Sequence, residues 1–91
     1  MHDFKIIAKE VLELEAKELL NAAALIGDEM REATELVASL KGKLIITGVG
    51  KSGLIGAKIA ATLASTGTSS FFLHPTEALH GDLGMIGKDD A

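Results

Sequence analysis

The hexapeptide Gly48-Val49-Gly50-Lys51-Ser52-Gly53 joins an apolar run to an alanine-rich stretch. Glycines let a backbone turn sharply and bring its amides close to a ligand. A lysine and a serine in the same turn add a positive charge and a hydroxyl. Together these groups suit a phosphate held at the start of a helix. Farther along, "HPTEALHGD" packs His74, Glu77, His80 and Asp82 into nine residues. Those side-chain types do acid–base work.

Three phosphate chemistries compete for the glycine loop. A P-loop needs G-x-x-x-x-G-K-[ST]. Gly50-Lys51-Ser52 match its end, but its first glycine would fall at Ile45, inside the apolar run. A dinucleotide fold needs G-x-G-x-x-G, which Gly48, Gly50 and Gly53 satisfy. It also needs an acid about 20 residues on, at the end of the second strand, to hold a ribose. That strand ends at Leu73-His74, and the nearest acid, Glu77, lies beyond a proline. A sugar phosphate asks for less: the amides of Gly50 to Gly53, the Ser52 hydroxyl and the Lys51 charge are enough. Against all three stands a plain tight turn with Lys51 in solvent.

The histidines divide in the same way. His74 follows a strand and precedes a proline, so a helix cap competes with a ligand role. His80 reads as an acid–base or sugar-contacting group, against the alternative of a cation at a helix C-terminus. Glu77 and Asp82 read as structural or capping groups. The histidines are six residues apart, whereas a metal helix spaces them by four; metal is the minority reading, and no metal or cofactor is expected.

These residues need a frame to hold them. Apolar positions Phe4, Ile7, Val11 and Leu14 share a helical stripe, so residues 3–26 read as a helix capped by Asp3. Asp28 opens a second helix to Leu40, with Gly42 as its C-terminal stop. "KLIITG" reads as a strand buried on both faces. "SGLIGAKIAATLAS" reads as a helix with Ile55, Ile59 and Leu63 spaced by four, and its alanines and Gly56 permit close packing against a sheet. "SSFFLH" is a second strand, and Pro75 opens a short helix to His80. Strand, helix and strand with such a connection make a parallel βαβ unit. The expected class is α/β, with a helical N-terminal segment and a βαβ unit at its centre.

The 91 residues hold at most one domain, with 47% apolar and 24% charged residues and no cysteine. Disorder and a disulfide framework are excluded. No apolar run approaches a membrane span, and the N-terminus is unlike a signal peptide; the cytoplasm is the expected compartment, with no membrane partner. Net charge is −4, yet no acid lies between Glu35 and Glu77, where Lys41, Lys43, Lys51 and Lys58 fall. That local positive balance suits a small anion. With three aromatics and an acidic total, no nucleic-acid partner is expected.

Residues 47–86, "TGVGKSGLIGAKIAATLASTGTSSFFLHPTEALHGDLGMI", closely resemble the sugar isomerase (SIS) domain of the arabinose-5-phosphate isomerase family. "GKSG", "ASTGT", "FFLHP" and "EALHGDLGM" fall in that family's order and spacing. The resemblance implies a flavodoxin-like parallel sheet. It also implies interconversion of D-ribulose 5-phosphate and D-arabinose 5-phosphate through an enediol, in the supply of Kdo for lipopolysaccharide. By resemblance Lys51 and His80 are the catalytic candidates. Gly48, Gly50, Ser52, Gly53 and His74 are the substrate-binding candidates. Homo-oligomers are implied as well.

Family members carry a further serine-rich phosphate loop and further catalytic residues. "IGKDDA" reads as the approach to a third strand. The expectation is therefore the N-terminal portion of one SIS domain, with helices over 3–40, a βαβ core over 43–91 and no second domain. Weak or no activity alone is expected of it. A non-catalytic sugar-phosphate sensor and a module kept for assembly are the alternatives.

Overall fold

The computed structural model describes residues 3–91. The chain divides into two units between Glu32 and Ala33. The first is dominated by α1, Phe4–Leu25. Asp3 caps it as its type predicts: one carboxylate oxygen accepts the Lys5 and Ile6 amides at 3.0 and 3.2 Å. Its apolar side chains lie uncovered, from Ile7 at 42% exposure to Leu25 at 82%. α2, Asp28–Ser39, follows. Its start is secured by Glu29, whose carboxylate reaches back to the Gly27 amide at 3.1 Å, rather than by Asp28. Both acids sit in the first turn, where they complement the helix dipole. Among the described residues, no helix is long and apolar enough to cross a membrane.

The second unit contains the expected βαβ. β1, Leu44–Ile46, leads into α3, Gly50–Ser65, and then into β2, Ser70–Phe72. The strands pair in parallel, Leu44 with Ser70, Ile45 with Phe71 and Ile46 with Phe72. Both are half-buried, not buried on both faces.

The face of α3 against the sheet is made of small residues. Gly53, Gly56 and Ala60 are buried, at the i, i+3, i+7 spacing of one helical stripe. A methyl on Gly56 would stand 2.9 Å from Ile46 Cγ2 and 3.4 Å from the Phe72 ring. This is the close packing that the alanines and Gly56 permit, while the larger Ile55 and Ile59 lie 59% and 46% exposed. Close approach of helix to sheet wins over bulk, and Ala60 and Leu73 form the buried apolar core. The Ser70 hydroxyl fastens the two layers by donating to the Ala60 carbonyl at 2.8 Å.

After β2 come α4, Pro75–Leu79, and a 3-10 turn, Asp82–Met85. The chain then returns to the other side of β1. The Ala91 amide donates to the Lys43 carbonyl at 3.0 Å, and the Ile45 amide donates to the Ala91 carbonyl at 2.7 Å. That is a parallel-ladder pattern. On the β2 side, Leu44 and Ile46 supply the groups instead: the Leu44 amide donates to Ser69, and the Leu73 amide to Ile46. β1 is thus bonded along both edges, and "IGKDDA" does approach the sheet as a neighbour of β1. Gly42 departs from its expected role. Its φ is not positive, so it is no left-handed helix stop. It makes room, since a methyl there would lie 2.6 Å from the Asp89 carbonyl oxygen.

Candidate functional site

Parallel strands release their chains at one end of the sheet, and in open α/β folds ligands bind at that end. The loop after β1 carries Lys51; the segment after β2 carries His74 and His80. Both candidate groups therefore leave from the same end of the sheet.

The β1–α3 turn is built from its glycines. Gly48 and Gly53 face each other with no side chain between them: a methyl on Gly53 would lie 2.6 Å from the Gly48 oxygen. Gly50 takes φ +60°, a left-handed conformation that L side chains rarely adopt. Val49 precedes α3 in an extended conformation and gives no side-chain cap. The first α3 amide to find an acceptor is that of Gly53, on the Val49 carbonyl at 3.2 Å. The amides of Gly50, Lys51 and Ser52 have no acceptor among the described residues. Three uncapped donors at the positive end of a 16-residue helix suit an anion.

Among the candidates in the loop, two kinds of role separate. Gly50, Lys51 and Ser52 are exposed and present donors. The Ser52 hydroxyl donates to the Val49 carbonyl at a long 3.3 Å, a weak bond that a better acceptor can replace. Gly48 and Gly53 act by close packing, and the Gly53 amide is spent within the helix. The turn's first helical residues carry no acid, so nothing there opposes the Lys51 charge.

His74 sits at the start of α4, where its Nδ1 accepts the Thr76 amide at 3.1 Å. That bond fixes the tautomer: Nε2 carries the proton and is the atom left for a ligand. The His74 ring stands edge-on to Phe72, with centroids 6.4 Å apart. Phe72 in turn lies against Gly53 and Gly56. One aromatic ring thus connects the His74 corner to the glycine turn. His80 ends α4, where its amide donates to the Thr76 and Glu77 carbonyls at 3.2 and 3.1 Å. Its ring makes no hydrogen bond to the described residues and is exposed. Among the described residues, no three of His, Asp and Glu gather as a metal-binding group.

A groove of about 370 Å³ lies at the other end of β1, lined by Ala33, Val37, Ala38, Leu44 and Leu63. It is apolar and contains none of the candidate residues.

Sequence reasoning did not anticipate Asp90. One of its carboxylate oxygens accepts the Lys43 amide at 2.6 Å and the other the Gly87 amide at 2.7 Å. Those two amides, Lys43 first, hold its carboxyl below the ordinary carboxylate value. Its partner lies 47 residues away in sequence, and no local pattern signals such a pairing.

The SIS domain family model matches residues 36–91. The arabinose 5-phosphate isomerase KdsD of Pseudomonas aeruginosa is 53% identical over 88 residues, which are 97% of this chain and 27% of that protein. The arabinose 5-phosphate isomerase GutQ of Escherichia coli K12 is 51% identical over 82 residues, 90% of this chain and 26% of that protein. The chain spans about a quarter of the length of these curated relatives. An Escherichia coli CFT073 protein solved in complex with arabinose 5-phosphate superposes with a TM-score of 0.88 at 44% identity, covering all of this chain and 50% of that one.

Proposed function

The chain belongs to the SIS domain family, and on that premise we propose that it serves the isomerisation of D-ribulose 5-phosphate and D-arabinose 5-phosphate. The observation that carries this reading is the β1–α3 turn. Its amides at Gly50, Lys51 and Ser52 lack partners, and a serine hydroxyl and an unopposed lysine stand beside them. The likeness to relatives named for that activity, and to a structure holding arabinose 5-phosphate, supports the choice of pentose. On this reading residues 1–91 belong to one SIS domain, with helices over 3–40 and a βαβ core over 43–91.

In the proposed reaction the ketose loses a proton from C1 while its C2 carbonyl oxygen gains one, giving a 1,2-enediol. A proton then returns to C2, the O1 proton leaves, and C1 becomes the aldehyde. Phosphate on the turn anchors the far end of the sugar, which converts a collision into a positioned reaction. Lys51 stabilises the negative charge that develops on the enediolate oxygens. His80, with its ring free of protein partners, handles a sugar hydroxyl or a proton. Gly48 and Gly53 shape the turn, and His74 presents Nε2 to the substrate side.

The uncovered aliphatic surface of α1 supports assembly as a homo-oligomer. The proposed setting is the cytoplasm, where phosphorylated sugars are retained, in the supply of Kdo for lipopolysaccharide.

The test is a titration with each pentose phosphate, following the amides of Gly50 to Gly53 by NMR, with turnover measured in parallel. Shifts centred on Gly50–Ser52 together with interconversion support the proposal. Shifts without turnover fit either a portion of the isomerase domain that lacks the rest of its site or a sugar-phosphate sensor. No shift at all overturns it.

A further inference from the structure

Among the described residues, hydrogen bonds tie the segment that carries His80 to the rest of its unit at its two ends. At the near end the Leu73 amide donates to the Ile46 carbonyl at 2.9 Å. From His74 to Ile86 every hydrogen bond among the described residues is internal: the His74 cap on Thr76, the turns of α4, Gly84 to Gly81, and Ile86 to Leu83. Leu79, Leu83 and Met85 remain 84%, 57% and 56% exposed, so the large apolar side chains do little to hold this stretch. At the far end, bonds gather. Gly42 donates to the Asp89 carbonyl at 3.0 Å, and Ala91 exchanges two bonds with Lys43 and Ile45. Asp90 adds its carboxylate, which joins the Lys43 amide to the Gly87 amide.

Both anchors rest on one stretch of chain. Ile46 receives the near end, residues 42–45 receive the far end, and the next residues form the turn that bears Lys51. β1 is therefore the common reference for both candidate catalytic groups. We propose that Asp90 is a positioning residue: its carboxylate pins the far end of the His80 segment to β1 and so fixes His80 relative to Lys51. A carboxylate suits the task, because charge-assisted bonds to amides are shorter and stronger than neutral ones. Gly42 cooperates by having no side chain where Asp89 and Asp90 come closest. The consequence for turnover rests on the isomerase reading; the placement of His80 does not.

Two variants test this by different chemistry. Asp90→Asn removes the charge and one acceptor, while Gly42→Ala pushes the segment away sterically. In either, residue-resolved hydrogen exchange should quicken about tenfold or more at Lys43 and Gly87. The His80 ring resonances should shift, while α3 amides and the His74 ring, held by its own cap, stay as they are. In the complete enzyme with arabinose 5-phosphate, kcat should fall more than KM rises, since the phosphate is held on Gly50–Ser52. Exchange quickened equally across α3 and β2 would show a general stabiliser and overturn the proposal, as would an unmoved His80 ring. If neither variant folds, the wild-type protein decides: Lys43 and Gly87 protected beside fast-exchanging 79–86 supports the clasp, and unprotected Lys43 and Gly87 overturn it. Absence of any arabinose 5-phosphate shift at Gly50–Ser52 would remove the isomerase reading and leave the exchange result standing; weak or absent turnover is expected of this portion alone.

Discussion

Gly48 and Gly53 touch backbone to backbone across the β1–α3 turn, and the Phe72 ring closes over the contact, 3.5 Å from where a Gly53 methyl would sit. A methyl has nowhere to go there, because the atom it meets first, the Gly48 oxygen at 2.6 Å, belongs to the main chain. Gly53→Ala should destabilise the protein by about 1–3 kcal/mol, the usual cost of overpacking. It should also weaken phosphate binding by deforming the turn. Thermal denaturation and a phosphate titration check both; an unchanged melting point would show that the turn relaxes freely.

Lys51 is exposed and free of ion pairs among the described residues, so its loss should hardly touch stability, within about 0.5 kcal/mol. Its proposed work is on the transition state. In the complete enzyme, Lys51→Ala should lower kcat by about 10²–10³-fold, the range for losing one charge-stabilising group. Steady-state kinetics on both pentose phosphates reads this directly. Near-normal kcat would take Lys51 out of the chemistry.

Ser52 should behave differently. Its hydroxyl makes a long 3.3 Å bond to Val49, and turning it toward an anion costs little. Ser52→Ala should raise the dissociation constant for the sugar phosphate about tenfold, in line with one hydrogen bond to a charged group, with kcat little changed. Unaltered affinity would assign the grip to the three backbone amides alone.

Asp90 gives the fold a dependence on pH with a defined sign. Its carboxyl is held below the ordinary 3.8 by the Lys43 and Gly87 amides, with the Lys43 charge as a smaller contributor. A depressed folded-state value stabilises the fold above the ordinary value, and that contribution disappears as pH falls through the folded-state value. Wild type should therefore exceed Asp90→Asn in urea midpoint at pH 7. The gap should close below about pH 4, where the unfolded carboxyl protonates. A gap that persists undiminished in acid would assign the effect to shape instead of charge.

Local sequence carried the central part of the fold. A short β-branched run, a glycine knot and an alanine-rich stretch specify β1, the turn and α3, because strand, turn and helix each have a short-range signature. Pro75 and His74 marked α4 and its cap for the same reason. Features that depend on distant partners were not readable. Nothing near Gly42 says that Asp89 and Asp90 will arrive beside it, and its glycine was legible only as a helix stop. Likewise the stripe of Ile55, Ile59 and Leu63 obeys helical spacing. The alanines and Gly56 were legible as residues that permit close packing on a sheet, but not that Ile46 and Phe72 are the groups they meet. In the candidate site, the glycines were recognisable as a group, but their division into donors and packing residues required knowing where the Gly53 amide goes.

The bare aliphatic face of α1 makes folding, on the proposed self-association, a question of how many molecules share the solution. Mass action then raises the apparent melting temperature as protein is added. Scanning calorimetry across a hundredfold dilution should show the midpoint sliding downward, and a midpoint indifferent to dilution would speak against association through that helix. A charged replacement such as Leu19→Glu should flatten the slope while leaving the β1–α3 turn, in a separate unit, able to bind phosphate.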